Sequence, residues 1–78
     1  MQTYRCKRYR RSAPGQNTGI VIDELTFQAA GAAEAEDKIR RSFRSPVFGT
    51  MDWEKDFATL EDDSGTVLAT WLHGTLHA

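Results

Sequence analysis

The residues that most often act as nucleophiles or metal ligands are few in this sequence: one cysteine, Cys6, and two histidines, His73 and His77. The histidines have the spacing of ligands on a helix, but Gly74 lies between them and the preceding residues alternate like a strand, so an exposed tail is the simpler interpretation. A thiol–imidazole pair also needs a third group that orients the base. Since Cys6 alternates with Tyr4, we expect it in the core. The sequence therefore predicts neither a metal site nor a catalytic residue.

Six of the eleven acidic residues lie within residues 52–63, in two groups. Asp52, Glu54 and Asp56 alternate, which would place them on one strand face, either as an acid–base pair or as a negative stripe facing water. The run 61–63 lacks the twelve-residue spacing and the terminal glutamate of a calcium loop, and it is typical of a solvated hairpin tip. We interpret both groups as negative surface for a partner, with no cofactor. These candidates are Asp52, Glu54, Asp56, Glu61, Asp62 and Asp63.

Basic residues alternate with aromatic ones near the start of the chain, in the segment 4–11. Such a segment can hold phosphates and stack on bases. The alternative is an edge strand that its charges protect from aggregation. The segment does not match the aromatic motif of common RNA-binding sheets, nor does the chain carry a zinc-finger or helix-turn-helix pattern. The basic candidates for partner binding are Arg5, Lys7, Arg8, Arg10 and Arg11.

The charges are distributed unevenly along the chain, although the net charge is only −1. Residues 1–44 contain nine of the ten Lys and Arg residues against five acids, which gives +4. Residues 45–78 contain one base against six acids, which gives −5. If the fold keeps the two halves apart, the molecule has one basic and one acidic region, and each can attract a partner of opposite charge.

The length and composition indicate a single globular domain over residues 1–78. A chain this short seldom holds both a catalytic site and the residues that keep such a site rigid, so we expect a binding protein and not an enzyme. No apolar run approaches the length of a membrane span, and no apolar stretch follows the first basic residues as in a signal peptide. The single cysteine excludes an intrachain disulfide and fits a reducing cytoplasm.

The first part of the chain is predicted to form a hairpin. A basic, half-exposed strand over 2–11 is followed by a loop over 12–19, in which a Pro-Gly pair favours a turn. A second strand runs over 20–27. The parity of its apolar residues changes near Asp23, which predicts a bulge or a break at that point.

A helix over 31–44 follows, because apolar residues recur at spacings of three and four. Acids near its start and bases near its end suit the helix dipole, and Ser45-Pro46 ends it. The predicted buried face consists of Ala32, Ala35, Ile39 and Phe43. The other face offers three acid–base pairs, Glu34–Lys38, Glu36–Arg40 and Asp37–Arg41.

The remaining residues are predicted to form three strands, over 47–54, 57–61 and 67–72. An acidic hairpin turn over 62–65 joins the last two, and the tail over 73–78 is expected to fray. The order β-β-α-β-β-β implies an α+β fold, in which one helix packs on one face of an antiparallel sheet of about five strands.

The residues from Gln28 to Ala35, continuing to Ile39, and the later run Phe48-Gly49-Thr50-Met51 resemble small phage proteins that inhibit bacterial CRISPR systems, in particular the type I inhibitors with a sheet and a helix. A strand that ends in Ala-Ala, a Glu-Ala helix start and a Gly-Thr before an acidic hairpin carry the resemblance. It implies a compact binder in the bacterial host cytoplasm that blocks a nucleic-acid or recruitment surface of the surveillance complex. The hairpin differs from the family, so the resemblance assigns no individual site residue.

Two hypotheses follow for the function. In the first, the protein inhibits a host defence complex, and its acidic residues occupy a groove lined by Lys and Arg. In the second, the basic first strand binds nucleic acid directly. In either case the chain acts as a monomer or as a homodimer without a membrane partner.

Overall fold

A computed structural model describes residues 1–16, 18–43 and 52–77. The described chain forms an α+β fold with five strands and one helix in the order β-β-α-β-β-β, which confirms the predicted class. No helix in these ranges is long and apolar enough to cross a membrane. The elements are β1 (Gln2–Arg11), β2 (Gly19–Ala29), α1 (Ala32–Ser42), β3 (Asp56–Glu61), β4 (Val67–Leu72) and β5 (Thr75–His77).

The strands form one antiparallel sheet in the spatial order β2-β1-β3-β4-β5. The basic strand β1 is therefore an inner strand and not the charge-protected edge that the sequence offered as an alternative. The predicted bulge is present. Arg8 pairs with Asp23 and Tyr9 pairs with Val21, so Ile22 is the extra residue in β2.

The helix begins directly after Gly31, where the Glu34 carboxylate accepts a hydrogen bond from the Ala30 backbone N–H at 3.0 Å. That bond, with the nearby Lys38 ammonium, holds the pKa of Glu34 below its ordinary value. The predicted Glu34–Lys38 pair forms at 3.4 Å. Of the other two predicted pairs, Asp37–Arg41 forms at 2.8 Å. Arg40 contacts Asp37 at 2.8 Å, which is the residue next to its predicted partner, Glu36.

The core lies between the helix and one face of the sheet. From the helix it receives Ala35 and Ile39, which are buried, and Phe43, which is half-buried. Ala32, predicted for this face, is exposed because it lies at the first helical position, beyond the sheet contact. The sheet contributes Tyr4, Cys6, Ala29, Ala58, Leu60, Ala69 and Trp71.

Two hairpins complete the sheet. The predicted acidic turn joins β3 to β4, with Gly65 at φ 88°, a conformation that favours glycine. The tail, predicted to fray, forms β5 instead. Its turn is His73-Gly74, and both residues have positive φ, 53° and 80°. Two consecutive residues of this kind are typical of the tightest hairpin turn, whose twist matches that of the flanking strands.

The strand predicted over 47–54 lies mostly outside the described residues, as do the predicted helix end at Ser45-Pro46 and the run 48–51. The described part of that segment is a turn, Trp53–Lys55, in which the Lys55 and Asp56 N–H groups both donate to the Asp52 carbonyl at 3.0 and 2.8 Å. Since the tail supplies β5, three strands still follow the helix in the described chain.

Candidate functional site

Strand alternation divides the basic segment between the two faces of the sheet. Tyr4 and Cys6 lie in the core beneath the helix, so Arg8 and Arg10 continue that face beyond the helix. The residues between them point to the opposite face, which the helix does not cover. That uncovered face receives Arg5, Lys7, Tyr9 and Arg11.

The covered face ends in an ion cluster around Asp56, which is fully buried. Arg8 donates to Asp56 from Nε at 3.0 Å and from Nη2 at 2.7 Å, and Arg10 donates from Nε at 2.6 Å. Burial alone would raise the pKa of Asp56, but the hydrogen bonds and charges of Arg10 and Arg8 outweigh burial, so this pKa lies below its ordinary value. Asp56 thus stays charged and is enclosed by its own chain.

A second ion pair crosses the same two strands on the uncovered face. Lys7 Nζ lies 3.0 Å from the Glu61 carboxylate, and the Glu61 side chain is 8% exposed. The hydrogen bond and charge of Glu61 raise the pKa of Lys7. Glu61, predicted as part of an exposed hairpin tip, is therefore a buried partner of β1.

These pairs correct the expectation of separate basic and acidic regions. The basic first strand lies against the acidic third strand, because Arg5 pairs in register with Glu61 and Arg10 with Asp56. Opposite charges on neighbouring strands stabilise that arrangement. Asp56 and Glu61, two of the six acids in residues 45–78, are thereby neutralised inside the sheet.

The predicted stripe of Asp52, Glu54 and Asp56 does not form. Asp52 and Glu54 are exposed in the turn that precedes β3, whereas Asp56 is the first residue of the strand and is buried. The prediction depended on a continuous strand with alternating side chains, and the turn before β3 interrupts that strand. Of the carboxylates predicted to bind a partner, the exposed ones therefore lie at two separate places, before β3 and after it.

The acidic turn after β3 uses one of its carboxylates internally. Asp62 Oδ1 accepts hydrogen bonds from the Ser64 N–H at 2.9 Å, the Ser64 hydroxyl at 2.6 Å and the Thr66 N–H at 3.0 Å. The Ser64 hydroxyl and these backbone groups hold the pKa of Asp62 below its ordinary value. Asp62 shapes the turn, while Asp63 beside it is exposed.

The uncovered face carries an aromatic and basic cluster that sequence reasoning missed. Tyr9 and Phe57 stack with centroids 4.7 Å apart and planes 5° from parallel, and the Arg11 guanidinium lies 5.7 Å from the Phe57 centroid. Phe57 and Arg11 are only 5% and 8% exposed, because these side chains cover one another. The signal for this cluster is the β1–β3 register, which a single sequence does not display.

The groups considered for nucleophilic chemistry do not meet. Cys6 is fully buried beneath the helix, and burial, with a smaller effect from Asp23, raises the pKa of its thiol to about 12. His77 pairs with Thr70, and Thr70 pairs with Thr59 opposite Lys7, which places His77 on the uncovered face. Among the described residues no three His, Cys, Asp or Glu side chains are grouped as metal ligands.

A third cluster of aromatic rings closes the end of the core near the β4–β5 turn. Phe43 contacts Trp53 and Trp71 edge-on, at centroid distances of 5.1 and 5.3 Å. Trp71 is buried and Trp53 is half-buried. With Arg40, Gly74 and Leu76 these rings line a cleft of about 330 Å³.

Comparisons with known proteins identified no relative of this chain. No protein-family model, no curated protein and no solved structure matches it.

Proposed function

We propose that this protein acts by binding and not by catalysis, as a phage or mobile-element inhibitor of a bacterial CRISPR-Cas complex. The resemblance of the strand end and helix start, residues 28–39, to the type I inhibitors motivates the class of target. The site of action would be the cytoplasm of the bacterial host. The inhibitor would occupy a surface that the complex uses for nucleic acid or for recruitment.

The observation that supports the proposal is the position of the exposed carboxylates among those predicted to bind a partner. Asp52 and Glu54 precede β3, and Asp63 follows it. Asp56 and Glu61 form ion pairs with side chains of β1. A six-residue strand separates the two groups by roughly 20 Å, at about 3.3 Å per residue. One DNA strand in a duplex places a phosphate every 3.4 Å or so, so this separation spans roughly six phosphates. Two anionic points at this distance suit a groove lined by Lys and Arg.

The test is a charge reversal at both ends of β3. In the double variant Glu54→Lys/Asp63→Lys, attraction becomes repulsion at each end, so we expect the concentration for half-inhibition to rise roughly 10-fold or more, because 1.4 kcal/mol corresponds to a factor of ten. The measurement is target-DNA binding by a purified type I surveillance complex at increasing concentrations of the protein. Both substituted side chains are exposed, so folding should be unchanged.

A matched control carries the same change in net charge at other places. Glu24 in β2 is exposed and Glu36 in α1 is half-buried, and neither belongs to the two ends of β3. Glu24→Lys/Glu36→Lys should inhibit like the wild type. Equal loss in both double variants would mean that net charge alone matters, and full inhibition by Glu54→Lys/Asp63→Lys would rule out this binding surface.

The uncovered sheet face favours a second candidate function, the direct binding of single-stranded nucleic acid. Arg5 and Lys7 lie in a row with the half-exposed ring of Tyr9, an arrangement that can hold phosphates beside a stacked base. Arg8 and Arg10 point to the other face, and Arg11 is buried. Lys7 is paired with Glu61, so this candidate relies on one phosphate contact, from Arg5, and not on the five basic residues of the segment.

That count predicts a specific salt dependence. With one contact, the slope of log K against log salt for a single strand should be roughly −0.7. Fluorescence anisotropy with a labelled oligonucleotide measures it. Arg5→Gln should flatten the slope, and Arg40→Gln on the helix should leave it unchanged. A flat response of the wild-type protein would exclude this function.

A further inference from the structure

The outer end of β2 exposes three consecutive aliphatic side chains. Ile20, Val21 and Ile22 are 69%, 47% and 41% exposed, in an eleven-residue strand that pairs with β1 on one side and forms an edge of the sheet. Long apolar edges are templates for pairing with another strand, and proteins usually protect them. The opposite edge is much shorter, since β5 has three residues.

The other end of the same edge is protected by the helix. Lys38 Nζ donates to the Gln28 carbonyl at 2.9 Å, and the Glu34 carboxylate accepts from the Ala30 N–H at 3.0 Å. These bonds engage backbone groups where β2 ends and α1 begins. The unprotected part of the edge is thus the segment before the acidic pair Asp23-Glu24.

We propose that this segment pairs with the same segment of a second copy of the chain, antiparallel, about a two-fold axis at Val21. In that register Val21 of one copy lies opposite Val21 of the other. Ile20 of each copy lies opposite Ile22 of the other copy. The register with β1 puts Ile20 on the face of Arg10 and Val21 on the face of Tyr9, so apolar side chains meet on both faces. The two five-stranded sheets would join into one continuous sheet.

The self-complementary run Ile20-Val21-Ile22 favours a second copy as the occupant, and charge does not oppose it. About Val21, Asp23 of one copy lies beside Gly19 of the other, so no carboxylate opposes a carboxylate. Gly19 pairs with Arg11, and its neighbour Ile20 pairs with Arg10. The acidic pair of each copy thus lies about two strand spacings, roughly 10 Å, from the Arg10 end of the other copy's first strand, so this register brings no like charges together.

The bulge at Ile22 limits the length of the pairing, because the register shifts there. Six aliphatic side chains and a short backbone ladder bury much less than the roughly 1,600 Å² of a standard interface. The expected dimer is weak, with a dissociation constant on the order of 10–100 µM. This association is independent of the CRISPR-Cas target.

Sedimentation equilibrium over a concentration series spanning that range tests the proposal. The mass of the wild-type protein should rise from monomer toward dimer. Val21→Lys places two ammonium groups at the two-fold axis and should remain monomeric. Val67→Lys is the matched control, since Val67 is 53% exposed at the start of β4, and it should dimerise like the wild type.

A crosslink reports the register separately. Val21→Cys should form a symmetric disulfide between copies under mild oxidation, whereas Val67→Cys should not, and the buried native thiol of Cys6 does not compete. A wild-type protein that stays monomeric throughout the series would overturn the proposal, as would equal crosslinking of the two cysteine variants. A monomeric protein whose Val21→Lys variant loses inhibition would assign the edge to the target protein instead and would also overturn the pairing of copies.

Discussion

Replacing Asp56 by alanine is expected to destabilise the fold by about 3–5 kcal/mol, because the change leaves two guanidinium groups without the buried carboxylate that joins them. The Asp56 carboxylate is fully buried and accepts hydrogen bonds from both Arg8 and Arg10. A domain of 78 residues has a total stability of roughly 4–12 kcal/mol, so the loss would be a large part of it. Urea unfolding followed by circular dichroism measures the effect.

The exposed residue Asp63 provides the control for this experiment. Asp63→Ala removes a carboxylate near the other end of the same strand and should change the unfolding free energy by no more than about 0.5 kcal/mol. A similar effect in the two alanine variants would contradict the role of the ion cluster.

The ion cluster around Asp56 also predicts that the stability of the fold depends on pH. A variant without the Asp56 charge should lack this dependence. The pKa of Asp56 in the folded protein lies below its ordinary value of 3.8. Because the pKa of Asp56 is lower in the folded protein, its charge stabilises the fold fully at pH values above the ordinary pKa. This stabilisation is lost as the pH falls through the pKa of the folded protein. The stability difference between the wild type and Asp56→Asn should therefore narrow in acid. A constant difference from neutral pH to strong acid would contradict this assignment.

Replacing Ile39 by alanine is the second large effect, with an expected loss of about 2–5 kcal/mol. Ile39 is 1% exposed and is among the largest fully buried side chains in the described chain. The buried residues of α1 are Ala35 and Ile39, so Ile39 is the large buried side chain by which the helix packs on the sheet, and Phe43 packs just beyond the helix end. Truncation of Ile39 leaves a cavity between the helix and the sheet, which closes only if the helix and the sheet move together.

A graded series separates this cavity effect from a general tolerance of the site. Ile39→Val removes a single methyl group and should cost about 0.5–1.5 kcal/mol. The exposed position Ala33, one helix face away, should tolerate substitution by serine with little change. Equal losses for the valine and alanine variants of Ile39 would show that the side chain does not anchor the helix.

Local patterns were sufficient to predict most of the fold. The spacing of Ala35 and Ile39 predicted the helix, the parity change near Asp23 predicted the bulge, and the glycine at 65 predicted the acidic turn. The fifth strand was missed because positive φ is uncommon for residues other than glycine, so only Gly74 of the turn His73-Gly74 indicated a turn. The sequence pattern of the short tail was too weak to predict a strand.

The candidate site was harder to predict, since its properties depend on which strands are neighbours. Asp56 and Glu61 looked like exposed partner-binding residues in isolation. Only the pairing of β1 with β3 places them against Arg8, Arg10 and Lys7. The opposite charges of these two segments were visible in the sequence and were interpreted as two surfaces. In the fold they act as a reason for two strands to pair.

Capture of a purified type I surveillance complex on the immobilised protein, with and without nuclease, tests most directly whether the protein acts on a protein target. Carboxylates at the two ends of β3 would contact the Lys and Arg side chains of the complex itself, so nucleic acid is not needed as a bridge. We predict that the subunits of the complex remain bound after nuclease treatment and that Glu54→Lys/Asp63→Lys fails to retain them. Release of the complex by nuclease, or retention of nucleic acid alone, would contradict the proposed function.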